Sequence, residues 1–472
     1  MKNKILTIII ILFFASNYLL SQNFNDALRL SLRNNWFGAR ASSMGSSFIG
    51  ISDDYSASYY NPAGLFQIKR MEFHGGLNYQ SLTNKTAFFG KQSSFTNTFT
   101  KINDLGFVFP FPTIRGSFVI AFGYNRNNNF NEALAFSGYN NGNTSMIQAL
   151  LGKGDVSYLL YLTDSTGNYT PIQGKLYQSG NILSSGSESN WVLSGAVEVA
   201  RDLAVGLTLG IISGELERVR DYLEEDIYNI YNATVRTDPD DPRTSDFLYM
   251  RLQESLNWEL TGFTSKVGLM YRTRDFLRLG MTIKFPSIFS IKEHYLVNGH
   301  SEFANFSADI NPPLESKLEY EIYTPFEFGI GFSISKLGLT ISGDLNFIDY
   351  KQMEFKGLSP SKVASNNREI KQFFRNVVDY SIGAEYNLFD SGLRLRGGYS
   401  LKNSPFKDDP PDFNRTYFTG GLGYITSEGF AIDFAYIGGK WKNVGDNYGV
   451  NVSRTNQEIK TTDIVFSVSF RF

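Results

Sequence analysis

The sequence predicts an all-β fold, namely a transmembrane antiparallel β-barrel of about 14 strands with an N-terminal plug, or hatch. Three observations support this prediction. Apolar and polar residues alternate with a period of two in many segments, short and long connections follow each other in turn, and the first residues have the layout of a secretory signal peptide. The chain has no cysteine, which excludes disulfide scaffolds, thiolate metal sites and lipidation of an N-terminal cysteine.

Composition and charge exclude further classes of protein. The 472 residues carry a formal net charge of −2, which gives no electrostatic reason to expect a nucleic-acid partner. Aromatic residues make up 15% of the chain, and there are 43 glycines, a composition unlike that of disordered chains. The mean hydropathy of −0.21 argues against a bundle of membrane helices.

The N-terminus indicates export from the cytoplasm. Lysines precede an almost wholly apolar run from Ile5 to Phe14, which is the arrangement of a signal peptide over residues 1–21. The cleavage site is ambiguous, because the positions after Ser16 and after Ser21 both lack a small residue two places earlier. A retained membrane anchor is the alternative, although the apolar run is shorter than the ~20 residues that a helical span needs.

The C-terminal segment shows the period-2 alternation most clearly. Its regularly spaced apolar residues are Ile464, Phe466, Val468, Phe470 and Phe472. Mainly polar residues lie between them, as expected for a strand whose two faces meet different environments. The same pattern predicts fourteen strands along the chain. Their ranges are 71–80, 103–112, 117–126, 190–200, 203–213, 251–273, 276–297, 315–334, 337–349, 377–388, 392–402, 415–426, 429–439 and 461–472.

The lengths of the connections distinguish a membrane barrel from a soluble β-sandwich. Short turns are predicted at 111–116, 201–202, 274–275, 335–336, 389–391 and 427–428. Long loops are predicted at 81–102, 127–189, 214–250, 298–314, 350–376, 403–414 and 440–460. All short turns then fall on one rim, as in outer-membrane barrels with periplasmic turns and extracellular loops. A soluble secreted β-protein is the alternative.

This layout predicts the cellular location and two partners. We expect the chain to lie in the cell outer membrane of a Gram-negative bacterium, with outer-membrane lipid around the wall. Both chain termini would lie on the periplasmic side. The aromatic terminus at Phe472 is expected to be recognised by the barrel-assembly machinery.

Residues 22–70 precede the first predicted strand. Small residues and turn formers, ending in Asn61-Pro62-Ala63-Gly64, predict a compact irregular segment. A barrel of this size is wider than the eight-stranded barrels that side chains fill. We therefore expect this segment to plug the barrel formed by residues 71–472. A periplasmic tail or an extra edge strand is the alternative.

Two of the long loops contain candidate helices. Apolar residues at spacings of three and four predict a helix in the loop 214–250, with Leu216, Val219, Leu223, Ile227 and Ile230 on one face. The acidic run from Asp238 to Pro242 follows it, and a solvated loop is a better interpretation of that run than a cation site. Residues 146–151 are a second candidate for a short helix.

Several short motifs occur in a defined order along the mature chain. They are Gly38-Ala39-Arg40 through Met44-Gly45, Asp53-Asp54, Asn61-Pro62-Ala63-Gly64, Tyr323-Thr324-Pro325-Phe326, Asp344 through Tyr350, Gly397-Gly398-Tyr399, Ser404-Pro405 and the aromatic C-terminus. By these motifs the sequence resembles the FadL/TodX family of outer-membrane transporters of hydrophobic substrates. The resemblance covers essentially the whole mature chain.

The resemblance implies a mechanism as well as a fold. Family members are 14-strand barrels with an N-terminal hatch, in which the ligand leaves sideways through a gap made by a kink in the third strand. By this resemblance Asn61, Pro62 and Ala63 belong to the hatch. Tyr124, Asn125 and Arg126 lie near the kink, and the Asn-rich stretch that follows them is too polar to continue a lipid-facing strand.

No catalytic residues are predicted. The chain has three histidines and no nucleophile motif, phosphate loop or metal triad, so we expect neither an enzyme nor a cofactor. Arg394 and Arg396 occupy alternate positions of a predicted strand, on the side expected to face the lumen. They are candidates for binding a substrate carboxylate, but ion pairing with acidic residues on the same face is the stronger interpretation.

The predicted function is passive outer-membrane uptake of hydrophobic molecules, either long-chain fatty acids or aromatic hydrocarbons. Burial of apolar surface would drive ligand binding without an energy source. Two alternatives remain open at this point. They are a non-catalytic carrier barrel of a type IX-like secretion system and a general diffusion porin.

Overall fold

A computed structural model describes residues 22–33, 36–152, 155–273, 276–388, 391–449 and 452–472. The predicted signal peptide, residues 1–21, lies outside the described residues. The described residues form one sheet of nineteen β-strands. The strands are β1 (Glu72–Phe88), β2 (Lys91–Phe111), β3 (Phe118–Asn129), β4 (Glu132–Asn140), β5 (Leu176–Ala200), β6 (Leu203–Glu225), β7 (Phe247–Thr273), β8 (Leu277–Lys284), β9 (Ile288–Phe303), β10 (Phe306–Asp309), β11 (Leu314–Tyr323), β12 (Glu327–Lys336), β13 (Leu339–Asp349), β14 (Glu354–Lys356), β15 (Asn376–Asn387), β16 (Leu393–Lys402), β17 (Arg415–Ile425), β18 (Phe430–Asp446) and β19 (Arg454–Arg471).

The sheet closes on itself. Strand β1 pairs with β2 on one edge and with β19 on the other, and both pairings are antiparallel. Three strands of the wall are each divided into two consecutive pieces. The pieces β3 and β4 both pair with β5, and the pieces β8 and β9 both pair with β7. The pieces β11 and β12 pair with β9 and β8, respectively. The short strands β10 and β14 are additions to the wall. The result is the closed 14-strand antiparallel barrel that the sequence predicted.

The apolar face of the strands points outward over a band of the wall. On β6, the side chains of Val205, Leu207, Leu209 and Ile211 are exposed, whereas Thr208 on the opposite face is buried. A soluble sandwich would show the reverse arrangement, since its apolar face forms the core. The exposed apolar band therefore matches a wall that faces lipid.

Beyond this band the wall continues as long extracellular hairpins, and several predicted loops are wrong for this reason. The loop predicted at 81–102 is a hairpin of β1 and β2, closed by Phe89 and Gly90 with positive φ values of 43° and 78°. Its outward face carries Ser, Thr and Lys instead of apolar residues, while inward residues such as Leu82 and Phe88 are buried. The apolar and polar alternation of a lipid-facing strand is therefore absent. The short turn predicted at 335–336 is displaced by two residues, because β12 ends at Lys336.

The predicted helix in the loop 214–250 is also wrong. Leu216, Val219 and Leu223 lie on β6, which runs as far as Glu225 and pairs with β5 and β7 over this stretch. The apolar spacing of three and four residues therefore occurs on a strand. The helix predicted near residue 146 is confirmed in a shorter form.

Six α-helices accompany the sheet in the described part of the chain. They are α1 (Phe24–Ser31), α2 (Ala39–Ser43), α3 (Ala57–Tyr60), α4 (Met146–Ala149), α5 (Val156–Leu159) and α6 (Pro360–Phe373). None of the described helices has the length and apolar character required to cross a membrane.

The segment before β1 lies inside the ring of strands. Helix α2 contacts β16 to β19, and the 3-10 helix Pro62–Gln67 contacts β3, β5, β6 and β7. Phe37, Phe48, Tyr55 and Phe66 of this segment are almost completely buried, and they pack against small and apolar residues of the wall. Contacts with strands on opposite sides of the ring place residues 36–68 within the lumen.

Candidate functional site

Asn61 joins the N-terminal segment to the wall. Its side-chain amide donates to the carbonyl oxygens of Ile49 and Leu269 at 3.0 and 3.1 Å, and its Oδ1 accepts from the backbone N–H of Ala63 at 3.1 Å. The second bond reaches β7, whereas the other two stay within the segment. Asn61 therefore caps the 3-10 helix that begins at Pro62 and fixes it to the wall at the same time.

Wall glycines allow this close approach. A Cβ atom on Gly206 would lie 2.3 Å from the backbone of Pro62 and Ala63, and one on Gly268 would lie 2.1 Å from Oδ1 of Asn61. Neither position leaves room for a side chain. Some of the many glycines of the chain are therefore required because backbone of the inner segment packs directly on backbone of the wall.

Carboxylates of the wall bind the backbone of the same segment. Asp344 on β13 accepts hydrogen bonds from the N–H groups of Phe48 and Ile49 at 2.7 and 2.9 Å. Glu72 at the start of β1 accepts from the N–H of Tyr55 at 2.8 Å. These bonds satisfy buried backbone groups that no regular ladder can reach.

A buried ionic network holds Arg40. Its Nε and Nη2 atoms donate to the two carboxylate oxygens of Glu385, each at 2.9 Å, and it also pairs with Asp53. The side chain of Arg396 is fully buried and donates to Glu385 at 2.7 Å and to Asp433 at 2.6 Å. Arg396 thus forms ion pairs within the wall, which is the stronger of the two interpretations given by the sequence.

The wall is interrupted beside Tyr124, Asn125 and Arg126. The ladder between β2 and β3 ends at the pair Asp104 and Asn125, and the register of β3 on β5 shifts between Arg126 and Asn128. Beyond this point β4 pairs with β5 but forms no described ladder with β2. The hydrogen-bonded ladder beside these three residues is therefore interrupted between β2 and β4, although β4 still lies close to β1 and β2. We call this interruption the break.

Residues of the inner segment contact the break directly. The hydroxyl of Tyr55 donates to Oδ1 of Asn125 at 2.7 Å, and the amide of Asn125 lies 3.4 Å from Oγ of Ser58. Tyr124 forms a hydroxyl hydrogen bond of 2.7 Å with Ser189 on β5. Asn125 therefore couples the N-terminal segment to the edge of the break.

Two cavities meet this region. A cavity of about 850 Å³ extends above the N-terminal segment and is lined by α1 and by both apolar and charged wall residues, among them Leu256, Ile348, Tyr417 and Trp441. A smaller cavity of about 60 Å³ lies between Tyr59 of the segment and the break, where Asn125, Asn127 and Asn128 line it. The lining as a whole suits an amphipathic or apolar ligand.

Comparison with known families identifies the chain. Residues 184–472 match the model of the outer membrane protein transport protein family, OMPP1/FadL/TodX. The chain belongs to this family. As a member of it, the FadL/TodX-type protein described here lies in the outer membrane of a Gram-negative bacterium and is a transport protein rather than an enzyme. A search of curated proteins found no match.

Solved structures agree with the fold of this FadL/TodX-type protein. The P. putida toluene transporter TodX has a TM-score of 0.54 at 14% identity, covering 92% of this chain and 98% of that one. A Pseudomonas aeruginosa FadL homologue has a TM-score of 0.56 at 13% identity, covering 94% and 99%. The Ralstonia pickettii toluene transporter TbuX has a TM-score of 0.51 at 16% identity, covering 94% and 100%.

Sequence reasoning expected acidic residues on the lumen-facing side of this FadL/TodX-type protein but missed what they bind. Asp344 binds Phe48, 296 residues away along the chain, and Glu385 binds Arg40, 345 residues away. The only signal in the sequence was their position on the side of the predicted strands that faces the lumen, and this position did not identify their partners. Within the described residues, no group of three or more His, Asp or Glu side chains is arranged to hold a metal ion.

The extracellular loops contain a separate apolar cluster around α4 and α5. Glu224 at the upper end of β6 is buried in it and accepts from the N–H groups of Met146 and Ile147, at 2.7 and 3.3 Å. Gln178 and Tyr222 also donate to it. Burial raises the pKa of Glu224 to about 7 despite these donors.

The packing of α4 is therefore expected to weaken as pH rises. Because the pKa of Glu224 is higher in the folded loop than in an unfolded one, stability is greatest below pH 4.5 and falls until the pH passes about 7. The loss is on the order of 3 kcal/mol, at ~1.4 kcal/mol per pKa unit. Hydrogen exchange at the amides of Met146 and Ile147, corrected for the intrinsic rate, measures it. The variant Glu224→Gln should show no such pH dependence, and a dependence that persists in it would contradict this assignment.

Proposed function

We propose that this barrel takes up hydrophobic molecules passively, from the extracellular loops into the lumen and then sideways into the membrane. The observation that carries the proposal is the break between β2 and β4, which lies beside a cavity and is covered from inside by the N-terminal segment. A lateral exit lets an apolar ligand avoid the aqueous periplasm. Burial of its surface, at ~25 cal/mol per Å², supplies the driving force for entry.

Within this proposal residues 22–70 act as the hatch and residues 71–472 as the barrel, after removal of a signal peptide over residues 1–21. Asn61, Pro62 and Ala63 anchor the hatch to the wall. Tyr124, Asn125 and Arg126 form the gate at the break. The contacts of Asn61 with β7 and of Asn125 with the segment support these roles.

The ligand class follows from the lining of the larger cavity. Apolar and aromatic side chains share that lining with at least as many polar and charged ones, so a molecule that combines an extended apolar part with a polar group fits it. The structural neighbours, which are toluene transporters and a FadL homologue, support the same ligand class. Fatty acids and aromatic hydrocarbons are therefore the candidate substrates.

The membrane and assembly partners are also proposals. The exposed apolar residues of the outer band, such as Phe466 and Phe470, would contact outer-membrane lipid. Phe472 is half exposed, and its N–H donates to the carbonyl oxygen of Met71 at 3.0 Å, which fixes the terminus at the rim. An exposed terminal aromatic side chain is available to the barrel-assembly machinery.

Uptake by cells tests the function. A strain lacking the protein should take up radiolabelled oleate or toluene more slowly than a complemented strain, and the purified barrel should carry lipid detectable by native mass spectrometry. Uptake of a hydrophilic sugar provides the control and should not change. Unchanged uptake of both apolar probes together with an empty lumen would reject the proposal. High ion conductance with the hatch in place would favour a diffusion porin, and loss of surface-protein export with intact uptake would favour a secretion carrier.

A further inference from the structure

A third cavity opens at the rim opposite the long loops and has not entered the proposed function. It has a volume of about 390 Å³ and lies between the hatch, the turns that join β12 to β13 and β17 to β18, and the residues Asn387 on β15 and Arg394 on β16. These short turns and the end of β19 mark the periplasmic rim. We call this cavity the periplasmic vestibule.

The vestibule is unusually rich in charge. Five cationic side chains line it, Arg40, Arg278, Lys336, Arg394 and Arg471. Four carboxylates line it as well, Asp53, Asp54, Glu385 and Asp433. The cations therefore exceed the anions by one along the lining. Arg396 and Glu72, which are buried behind the lining, add one charge of each sign.

The carboxylates are already bound by some of these cations. Asp53 pairs with Arg40 and, at 3.1 Å, with Arg278. Glu385 pairs with Arg40 and with Arg396, which is buried in the wall behind the lining. The remaining two acids are also engaged, since Asp54 lies 3.6 Å from Arg40 and Asp433 lies 2.6 Å from Arg396.

Arg394 and Lys336 are the two lining cations without such a partner. Among the described residues, no carboxylate lies within ion-pairing distance of either side chain, and neither donates a side-chain hydrogen bond. Arg394 is only partly exposed and lines the vestibule. Glu385 and Asp53 attract its charge from a distance, while Arg40 and Arg396 repel it. A partly desolvated guanidinium without a carboxylate in direct contact is costly, and an anion from outside would reduce that cost.

We propose that the periplasmic vestibule binds a carboxylate through Arg394, assisted by Lys336. The planar guanidinium fork matches the two oxygens of a carboxylate, and its bonds are charge-assisted. The volume admits a small organic acid or one acidic segment of a periplasmic polypeptide, but it does not admit a folded domain. This site is separate from the lumen and the break, so it does not depend on the uptake proposal.

Binding to the full chain in detergent micelles tests the proposal, with citrate and a hexa-aspartate peptide as probes and isothermal titration calorimetry as the measurement. Removing the charge in Arg394→Gln should weaken binding about tenfold, the effect of losing one charge-assisted pair. The matched control is Arg201→Gln, which removes an exposed charge from the same rim outside the vestibule and should leave binding unchanged. The affinity of Arg394→Lys should lie between that of the unaltered chain and that of Arg394→Gln.

The two probes distinguish the sources of the carboxylate. Binding of citrate alone assigns a small acid, whereas tighter binding of the peptide assigns a polypeptide segment. Equal affinity in Arg394→Gln and the unaltered chain, or no detectable binding of either probe, would overturn the proposal. A second measurement needs no variant. Citrate should slow hydrogen exchange in the Gly338 turn and the start of β16 of the unaltered chain, and the absence of any such protection would also overturn it.

Discussion

The variant Glu385→Ala is expected to release the hatch from the wall while the barrel stays closed. Glu385 is almost fully buried and binds Arg40 of the hatch through both oxygens, and Arg396 of the wall through one of them. Removing it leaves two buried guanidinium groups with fewer counter-charges. Breaking a buried pair in this way costs about 3–5 kcal/mol. The ladder between β13, β15 and β16 does not use this side chain, so the wall itself should persist.

Hydrogen exchange and conductance measure this release. Amides of α2, together with those of Phe48 and Ile49, should exchange faster in Glu385→Ala, and single-channel conductance in planar bilayers should rise. Glu319→Ala is the control, because Glu319 lies on the outer face with a side chain that is 74% exposed. Glu385→Gln keeps an acceptor but not the charge and should have an intermediate effect. Unchanged exchange in the hatch of Glu385→Ala would show that Arg40 does not hold it.

The sequence was most informative where the two faces of a strand meet different environments. Within the outer band, Leu207 and Leu209 alternate with small or polar residues because one face meets lipid and the other meets the lumen. This contrast disappears above the band. In the upper half of β6 and in residues 81–102 of the β1–β2 hairpin the outward side chains are mostly polar, although inward ones such as Leu82 and Tyr222 are buried. These parts were therefore predicted as loops or as a helix.

Long-range pairing limited what the sequence could say about the site. The resemblance to the family implied a kink near Tyr124, and the polarity of the stretch that follows agreed with it, because polar side chains cannot remain in contact with lipid. Nothing local connects Arg40 with Glu385, or Phe48 with Asp344, since the barrel brings these residues together only after it closes. The motif around Asn61 predicted a hatch, but its dependence on Gly206 and Gly268 became evident only in the packing.

The size of the cavity at the break has a consequence for transport. The space of about 60 Å³ between Tyr59 and Asn125 is much smaller than the roughly 150 Å³ of an engineered protein cavity that holds benzene. A fatty acid or an aromatic ring therefore does not fit there. Under the proposed function, the ligand therefore reaches the break from the large cavity only if the hatch moves.

Tying the hatch to the wall is therefore expected to stop uptake. The chain has no cysteine, so the double variant Ser58→Cys, Asn125→Cys places its only two thiols where the two side chains lie 3.4 Å apart. Once they are joined by oxidation or by a short thiol cross-linker, uptake of oleate and toluene should fall to the level of a strain without the protein. Reduction of the disulfide should restore it.

The control for this experiment is a cross-link that leaves the hatch free. Thr83 and Thr96 face each other across β1 and β2, with hydroxyl oxygens 2.9 Å apart on the extracellular hairpin, and their double cysteine variant should transport equally well when oxidised or reduced. Each single cysteine variant tests the substitution itself. Full uptake by the oxidised Ser58–Asn125 pair would mean that ligand passes a fixed hatch. The break would then have to be reached by a route that avoids the cavity beside Tyr59, because that cavity is too small for the ligand.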